Sequence, residues 1–411
     1  MRTAVLVSLV VAAALVVTGC PKPQEVMQLK EIDYEHQLPP GALALRKITD
    51  PALLPDFTQA AMDMAGLREA IQFSLEYMAK PSSQEKFPYG TITHAQAEAS
   101  LKAMLALLDS GKSPNAINQE IRQNYDVYMS VGCDYRGTVL FTAYYTPIFD
   151  ASLQKTDRFK YPLYKAPADL VKQPDGTPAS PLPERRTIES SHMYDGNELV
   201  WLADPFEAYV CQIQGSARLH LPDGQEKTVG YTANNGHDYK SVRAELVKDG
   251  KIGKRDGLPA MIAYFKAHPN EVNGYIYRNP RYVFFAPVDD GRPRGCLNEP
   301  VTARRSLATD KKIFPPGCLA MVQGLLPQRR GGQVVDAPFS AFALDQDSGG
   351  AIRAPGRCDV YLGIGKEAGE LAGRAQNEGK LYYVFLKPTA GGTPAVTPTT
   401  APGAATLSAP K

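Results

Sequence analysis

The spacing of apolar positions changes character near Thr138. Before that point it is helical. Met62, Leu67, Ile71, Leu75 and Met78 recur through residues 57–80, and Ala97, Leu101, Met104, Leu105 and Leu108 through residues 93–108. Apolar residues three and four apart share one helix face, so both segments predict core-facing helices, and residues 114–128 a third. After Thr138 the runs shorten. TVLFTAYY at 138–145 is dense in β-formers and stops at Pro147. Residues 199–202, 208–214, 281–286, 318–323 and 380–386 also predict strands. Leu219 and Leu221 alternate with Arg218 and His220 before Pro222-Asp223-Gly224, and residues 227–231 return, which predicts a hairpin. Helices are expected at 239–248, 258–268 and 366–377. Regular βαβ alternation is scarce, so the fold class is mainly β with N-terminal helices, a barrel or sandwich rather than a doubly wound sheet.

The two ends read differently. The chain opens MRTAVLVSLVVAAALVVTGC, with Arg2 before an apolar run and small residues before Cys20. This is a secretory leader, residues 1–19, and its end resembles a lipobox in which Cys20 is lipidated. The run is short for a membrane span. Pro21 rather than Asp follows Cys20, so the outer membrane, periplasmic face, is the expected location. Residues 20–55 read as a tether. Residues 389–411 are mostly Thr, Ala, Pro and Gly, and a disordered, dispensable tail is expected.

The 411 residues carry a formal net charge of +2, which gives no electrostatic case for nucleic acid. Cys133, Cys211, Cys296, Cys318 and Cys358 leave both disulfides and buried thiols open. No C-x-x-C pair occurs and the six histidines are scattered, so no metal or cofactor is expected.

Candidate chemistry concentrates in AFALDQDSGGAIRAPGRCDVYLGIG at 341–365. Asp345, Asp347 and Asp359 lie between two short apolar runs and a Gly/Pro loop. Carboxyl groups there suit a cleft, where apolar walls raise a pKa for general acid work. Asp345 and Asp347 read equally well as turn formers. In QIQGS, strand alternation would put Gln212, Gln214 and Ser216 on one face, either toward a ligand or toward solvent. Tyr144, Tyr145 and Thr146 end a strand at a proline. Asn234 and His237 lie in NNGHDY, where Asn235-Gly236 also reads as a turn. No G-x-S-x-G elbow surrounds Ser216, which argues against a hydrolase triad with His237 and Asp238.

SLATDKKIFPPG at 306–317 and QDSGGAIRAPGRCDVYLG at 346–363 resemble the three-aspartate "3D" domain. TAYYTPIFDAS, VWLADPFEAYVCQIQGSARLHLPDG, GYTANNGHDYKSV and NPRYVFF precede them in the order seen in the membrane-bound lytic murein transglycosylase A family. The resemblance spans about residues 142–388. It implies a double-psi β-barrel, residues 56–147 and 279–388 with the 3D motif at 306–365, and a smaller β domain inserted at 148–278. A groove would lie between the two. It also implies cleavage of the β-1,4 bond between N-acetylmuramic acid and N-acetylglucosamine, with 1,6-anhydro ends and one catalytic carboxyl. That carboxyl falls on Asp359, with Asp347 and Asp310 in supporting places. Tyr144, Tyr145, Thr146, Gln212, Gln214, Ser216, Asn234 and His237 would contact the glycan. The implied partners are peptidoglycan strands, the outer membrane through the lipid, and other cell-wall enzymes. Alternatives are a two-carboxylate glycan hydrolase using Asp347 with Asp359, and a non-catalytic murein-binding lipoprotein. The chain departs from the family pattern at Ala217, Asn298, Arg304, Ala354 and Cys358.

Overall fold

The computed structural model describes residues 32–173, 177–254 and 256–388. The leader, Cys20 and the tail from residue 389 lie outside the described residues. Fourteen strands occur among the described residues. In chain order they are β1 (Leu45–Lys47), β2 (Tyr125–Ser130), β3 (Val139–Thr146), β4 (Ile148–Ser152), β5 (Tyr161–Tyr164), β6 (Glu198–Leu202) and β7 (Ser216–His220). Then follow β8 (Glu226–Asn234), β9 (Val283–Val288), β10 (Ser306–Ala308), β11 (Leu319–Arg330), β12 (Gln333–Asp347), β13 (Arg357–Ile364) and β14 (Asn377–Leu386).

Strand β3 borders both β13 and β14, and this double border closes a ring of six: β3, β13, β10, β12, β11 and β14. Two of its pairings, β3–β13 and β10–β12, are parallel and the rest antiparallel. The β11–β12 hairpin turns on Gly331-Gly332 between the paired Arg330 and Gln333, with φ of 56° and 82°. Both central residues of this two-residue turn need positive φ, which glycine adopts without strain. Phe141, Leu307, Val322, Leu344 and Val360 fill the barrel, each 1% exposed or less. Strands β1 and β2 extend the sheet beyond β14.

The N-terminal helices cover the barrel. Gln346, at the end of β12, donates Nε2 to the Ala70 carbonyl at 2.8 Å and to Ser74 at 3.0 Å, both on the helix Leu67–Met78. The helix expected over 57–80 is two. Thr58–Met62 stops where Asp63 turns extended and its side chain accepts from Ala65 N, and Leu67–Met78 follows. The third helix ends at Asn124, because Tyr125 and Val127 are buried in a β alternation that pairs β2 with β14. The helix expected to reach 377 ends at Ala372, where Gly373 lies so close to Pro259 that an added Cβ would fall 2.3 Å from the ring.

The second sheet has the order β5-β6-β4-β7-β8-β9. It runs to Val288, past the expected border at 278. Residues 208–214, expected as a strand, form the helix Pro205–Gln214. Asp204 caps it, accepting from Phe206 N at 2.7 Å and Glu207 N at 3.0 Å, with Pro205 at the first turn and Gly215 (φ 75°) closing it. Phe206, Tyr209 and Val210 pack on Val242, Leu246 and Phe265, while Ala208 and Cys211 face the sheet. Apolar residues therefore cover both sides of this helix, which hid its period. The five described cysteines are free thiols, with Cys211, Cys318 and Cys358 buried.

Candidate active site

Along β13, Cys358 and Val360 are 0% exposed and face the barrel interior, so the strand's alternation turns Asp359 outward. Register then surrounds it. Thr142 of β3 lies opposite on one side and Ala308 of β10 on the other. The Thr142 hydroxyl donates to Asp359 Oδ1 and receives Arg357 Nη2 at 3.3 Å. Asp359 is half-buried, and burial raises its carboxyl above the usual carboxylate range. The Arg357 charge and the Thr142 hydroxyl act the other way without cancelling that effect.

The neighbouring aspartates are committed elsewhere. Asp345, 0% exposed, pairs with Lys311 Nζ at 2.6 Å and accepts from Thr309 (2.9 and 2.8 Å) and Tyr383 (2.8 Å). It lies within β12, not in a turn. Asp347, the last residue of β12, accepts from Cys296 N at 2.9 Å and Ser348 N at 2.8 Å. Ala308 stands between Asp347 and Asp359 in the sheet, a two-strand separation of about 10 Å between backbones. Asp310 caps two backbone N–H groups, Lys312 N and Ala354 N, each at 3.1 Å.

Other polar residues singled out above fall into two groups. Thr146, Ser216 and Tyr361 form a buried hydroxyl chain, with Thr146 Oγ1 3.0 Å from Ser216 and 2.9 Å from Tyr361. This chain joins β3 and β13 of the barrel to β7. Tyr144 stacks obliquely on Tyr361 at 5.1 Å, and its buried hydroxyl faces Asp347. Gln214 accepts from Tyr145 N at 3.1 Å at the same junction. The second group holds the fold of the inserted sheet. Gln212 is 6% exposed and accepts from Arg185 (2.7 Å) and Val283 N (3.4 Å). Because residues 212–214 are helical, Gln212, Gln214 and Ser216 do not share a strand face. Asn234 bonds Tyr231 and Gly236 N, and His237 the Leu182 carbonyl at 2.8 Å.

A groove of about 610 Å³ reaches Thr142, the residue that donates to Asp359, while Asp359 itself is not among the residues that line it. Thr142, Tyr145 and Arg357 line it from the barrel, Gln214, Tyr239 and Arg243 from the other side. Thr142 and Arg357 escaped the sequence reading. Only the β3–β13 register, which joins positions 217 apart, brings Thr142 to Asp359. Among the described residues no group of three or more His, Cys, Asp or Glu could hold a metal ion, and no helix is long and apolar enough to cross a membrane.

Two family models match the chain, an MltA specific insert domain over residues 140–286 and a 3D domain over residues 305–385. The membrane-bound lytic murein transglycosylase A of Escherichia coli (strain K12) is 30% identical over 272 residues, covering 65% of this chain and 71% of that protein. The homologue from Buchnera aphidicola subsp. Schizaphis graminum (strain Sg) is 27% identical over 284 residues, 68% of this chain and 75% of that one. Among solved structures, a membrane-bound lytic murein transglycosylase from Agrobacterium tumefaciens superposes with a TM-score of 0.69 at 27% identity, covering 84% of this chain and 98% of that one. E. coli MltA with bound chitohexaose superposes with a TM-score of 0.65 at 24% identity, covering 88% and 98%, and shares the fold.

Proposed function

The chain belongs to the membrane-bound lytic murein transglycosylase A family, and on that footing we propose that Asp359 alone carries its proton transfers. The chain is a peptidoglycan lytic transglycosylase. In the proposed reaction a murein strand lies in the groove that reaches Thr142. Protonated Asp359 gives its proton to the oxygen linking muramic acid C1 to glucosamine, and the C1–O bond breaks. The resulting carboxylate then takes the proton of the muramic C6 hydroxyl as that oxygen closes onto C1. The strand ends in a 1,6-anhydro sugar and no water enters. A hydrolase needs a second carboxylate to activate water or attack C1, whereas here the substrate supplies its own nucleophile.

One observation carries the assignment. Of Asp310, Asp345, Asp347 and Asp359, only Asp359 accepts neither a backbone cap nor a lysine, and takes a single hydroxyl donor. Burial with so little compensation favours the protonated acid that the first step requires. Asp359→Asn should retain binding of chitohexaose and lose cleavage by about 10²–10⁴-fold, the usual contribution of a general acid–base group. Loss of binding in that variant would make Asp359 a ligand-holding residue instead.

The lipobox-like Gly19-Cys20 junction supports attachment through lipidated Cys20 at the periplasmic face of the outer membrane. Cys20→Ala should move the protein from the membrane to the soluble fraction of cells. Full retention with membranes would refute lipid anchoring.

A further inference from the structure

The groove that reaches Thr142 gathers arginines from distant parts of the chain. Arg353 and Arg357 belong to the loop after β12 and to β13, and Arg243 to the helix Val242–Lys248. Arg281 stands just behind, its Nε 3.4 Å from where a Cβ on the groove residue Gly350 would lie. Arg243 lies within reach of the like charge of Arg357, and Arg281 of that of Arg353. Burial foremost, with these like charges, holds Arg243 and Arg281 below the usual arginine range.

Compensation within the protein is thin. Arg243 donates to backbone oxygens of Asp256 and Lys254, and Arg281 to the His237 carbonyl. Among the described residues Arg353 donates only to the Gly350 carbonyl, at 3.2 Å. Arg357 meets Glu35 and the Thr142 hydroxyl, each at 3.3 Å, and its buried Nε has no partner among the described residues. Asp238 is the other acidic residue on the groove wall. Guanidinium groups crowded together and left partly unsatisfied are poised for an anion, and their planar donor forks match a carboxylate.

N-acetylmuramic acid differs from N-acetylglucosamine by a lactyl ether on C3. Its carboxyl is free on a denuded strand and amide-linked on a peptide-bearing one, where the peptide brings further carboxylates. We infer that Arg353, with Arg243, Arg281 and Arg357 around it, forms a subsite that reads the carboxylate carried on the C3 substituent of muramic acid. This rests on the proposed placement of a murein strand in the groove. It gives the enzyme a means of registering the strand, because every second sugar carries this group and only one of the two β-1,4 linkages has muramic acid on its C1 side.

The test measures affinities in the full chain carrying Asp359→Asn, so that strands stay intact. Three probes are compared: chitohexaose, denuded murein strands, and strands bearing peptides. Both murein probes, or one of them, should bind more tightly than chitohexaose. Arg353→Gln should erase that advantage, by about 10–100-fold, the worth of a charge-assisted hydrogen bond, and leave chitohexaose unchanged. Arg353→Lys should restore part of it, and added salt should weaken it. An advantage confined to denuded strands assigns the lactyl carboxylate, and one confined to peptide-bearing strands assigns the stem. Equal affinity for all three probes, or an equal loss on all three in Arg353→Gln, overturns the inference while leaving the groove as the glycan site. Binding of no probe at all removes the groove as the glycan site as well.

Discussion

Lys311→Met tests how the barrel holds its acidic floor. Lys311 Nζ is 2.6 Å from Asp345 Oδ1 and 3.0 Å from Thr309 Oγ1, and it also donates to the Asp347 carbonyl. Methionine keeps most of the volume and removes the charge. Asp345, 0% exposed, would then keep only the Thr309 and Tyr383 hydroxyls. Removing one partner of a buried ion pair costs about 3–5 kcal/mol. The remaining hydroxyl donors place this case near the lower end. At about 1–2 °C per kcal/mol for a chain of this size, the melting temperature should fall by about 3–6 °C at neutral pH. The pH dependence has a definite sign. Burial already pushes the folded Asp345 carboxyl above its usual value, and losing Lys311 pushes it further. A group raised in the folded state favours folding below its unfolded pKa and loses that contribution as pH rises through the folded value. The variant's deficit should therefore widen from acid to neutral pH. Calorimetric melts across that range measure it. Lys311→Met with Asp345→Asn should recover part of the loss, since no unpaired charge remains. A fall below about 2 °C at neutral pH, or a deficit that narrows as pH rises, would refute the reasoning.

Two further outcomes follow from the same geometry. The Thr142 hydroxyl stabilises ionised Asp359, so Thr142→Val should raise the Asp359 pKa and move the alkaline limb of the pH–rate profile to higher pH; an unmoved or lowered limb would separate Thr142 from the acid. Ala354 holds φ at 66°, so Ala354→Gly should stabilise by about 0.5–1 kcal/mol, read as a higher melting temperature, and a loss would mean that the alanine methyl packs usefully.

Much of this arrangement was legible in the residues. Asp345, Asp347 and Asp359 stood out as carboxyl groups beside short apolar runs, and in the structure Asp359 lies on β13 between the buried Cys358 and Val360. Three departures from the family pattern, Asn298, Arg304 and Ala354, all have positive φ, with values of 58°, 62° and 66°, a conformation that glycine adopts without strain. The helix Pro205–Gln214 was misread because apolar residues face both the sheet and a second helical cluster, which blurs the 3.6-residue period. Its Asp-Pro start and Gly215 end were the better signals. What sequence spacing could not supply was long-range register. The Thr142–Asp359 contact and the arginines at 243, 281, 353 and 357 depend on how the strands close and on which loops meet at the groove.

The central claim is a single carboxyl working without water, and the ends it leaves behind test it most directly. Purified sacculi digested with the wild-type protein and with Asp359→Asn, followed by mass spectrometry of the released muropeptides, give the result. The account predicts 1,6-anhydro ends, lighter than reducing ends by one water, from the wild type throughout digestion, and almost no release from Asp359→Asn. Reducing ends as the main product, or near wild-type release by Asp359→Asn, would contradict it.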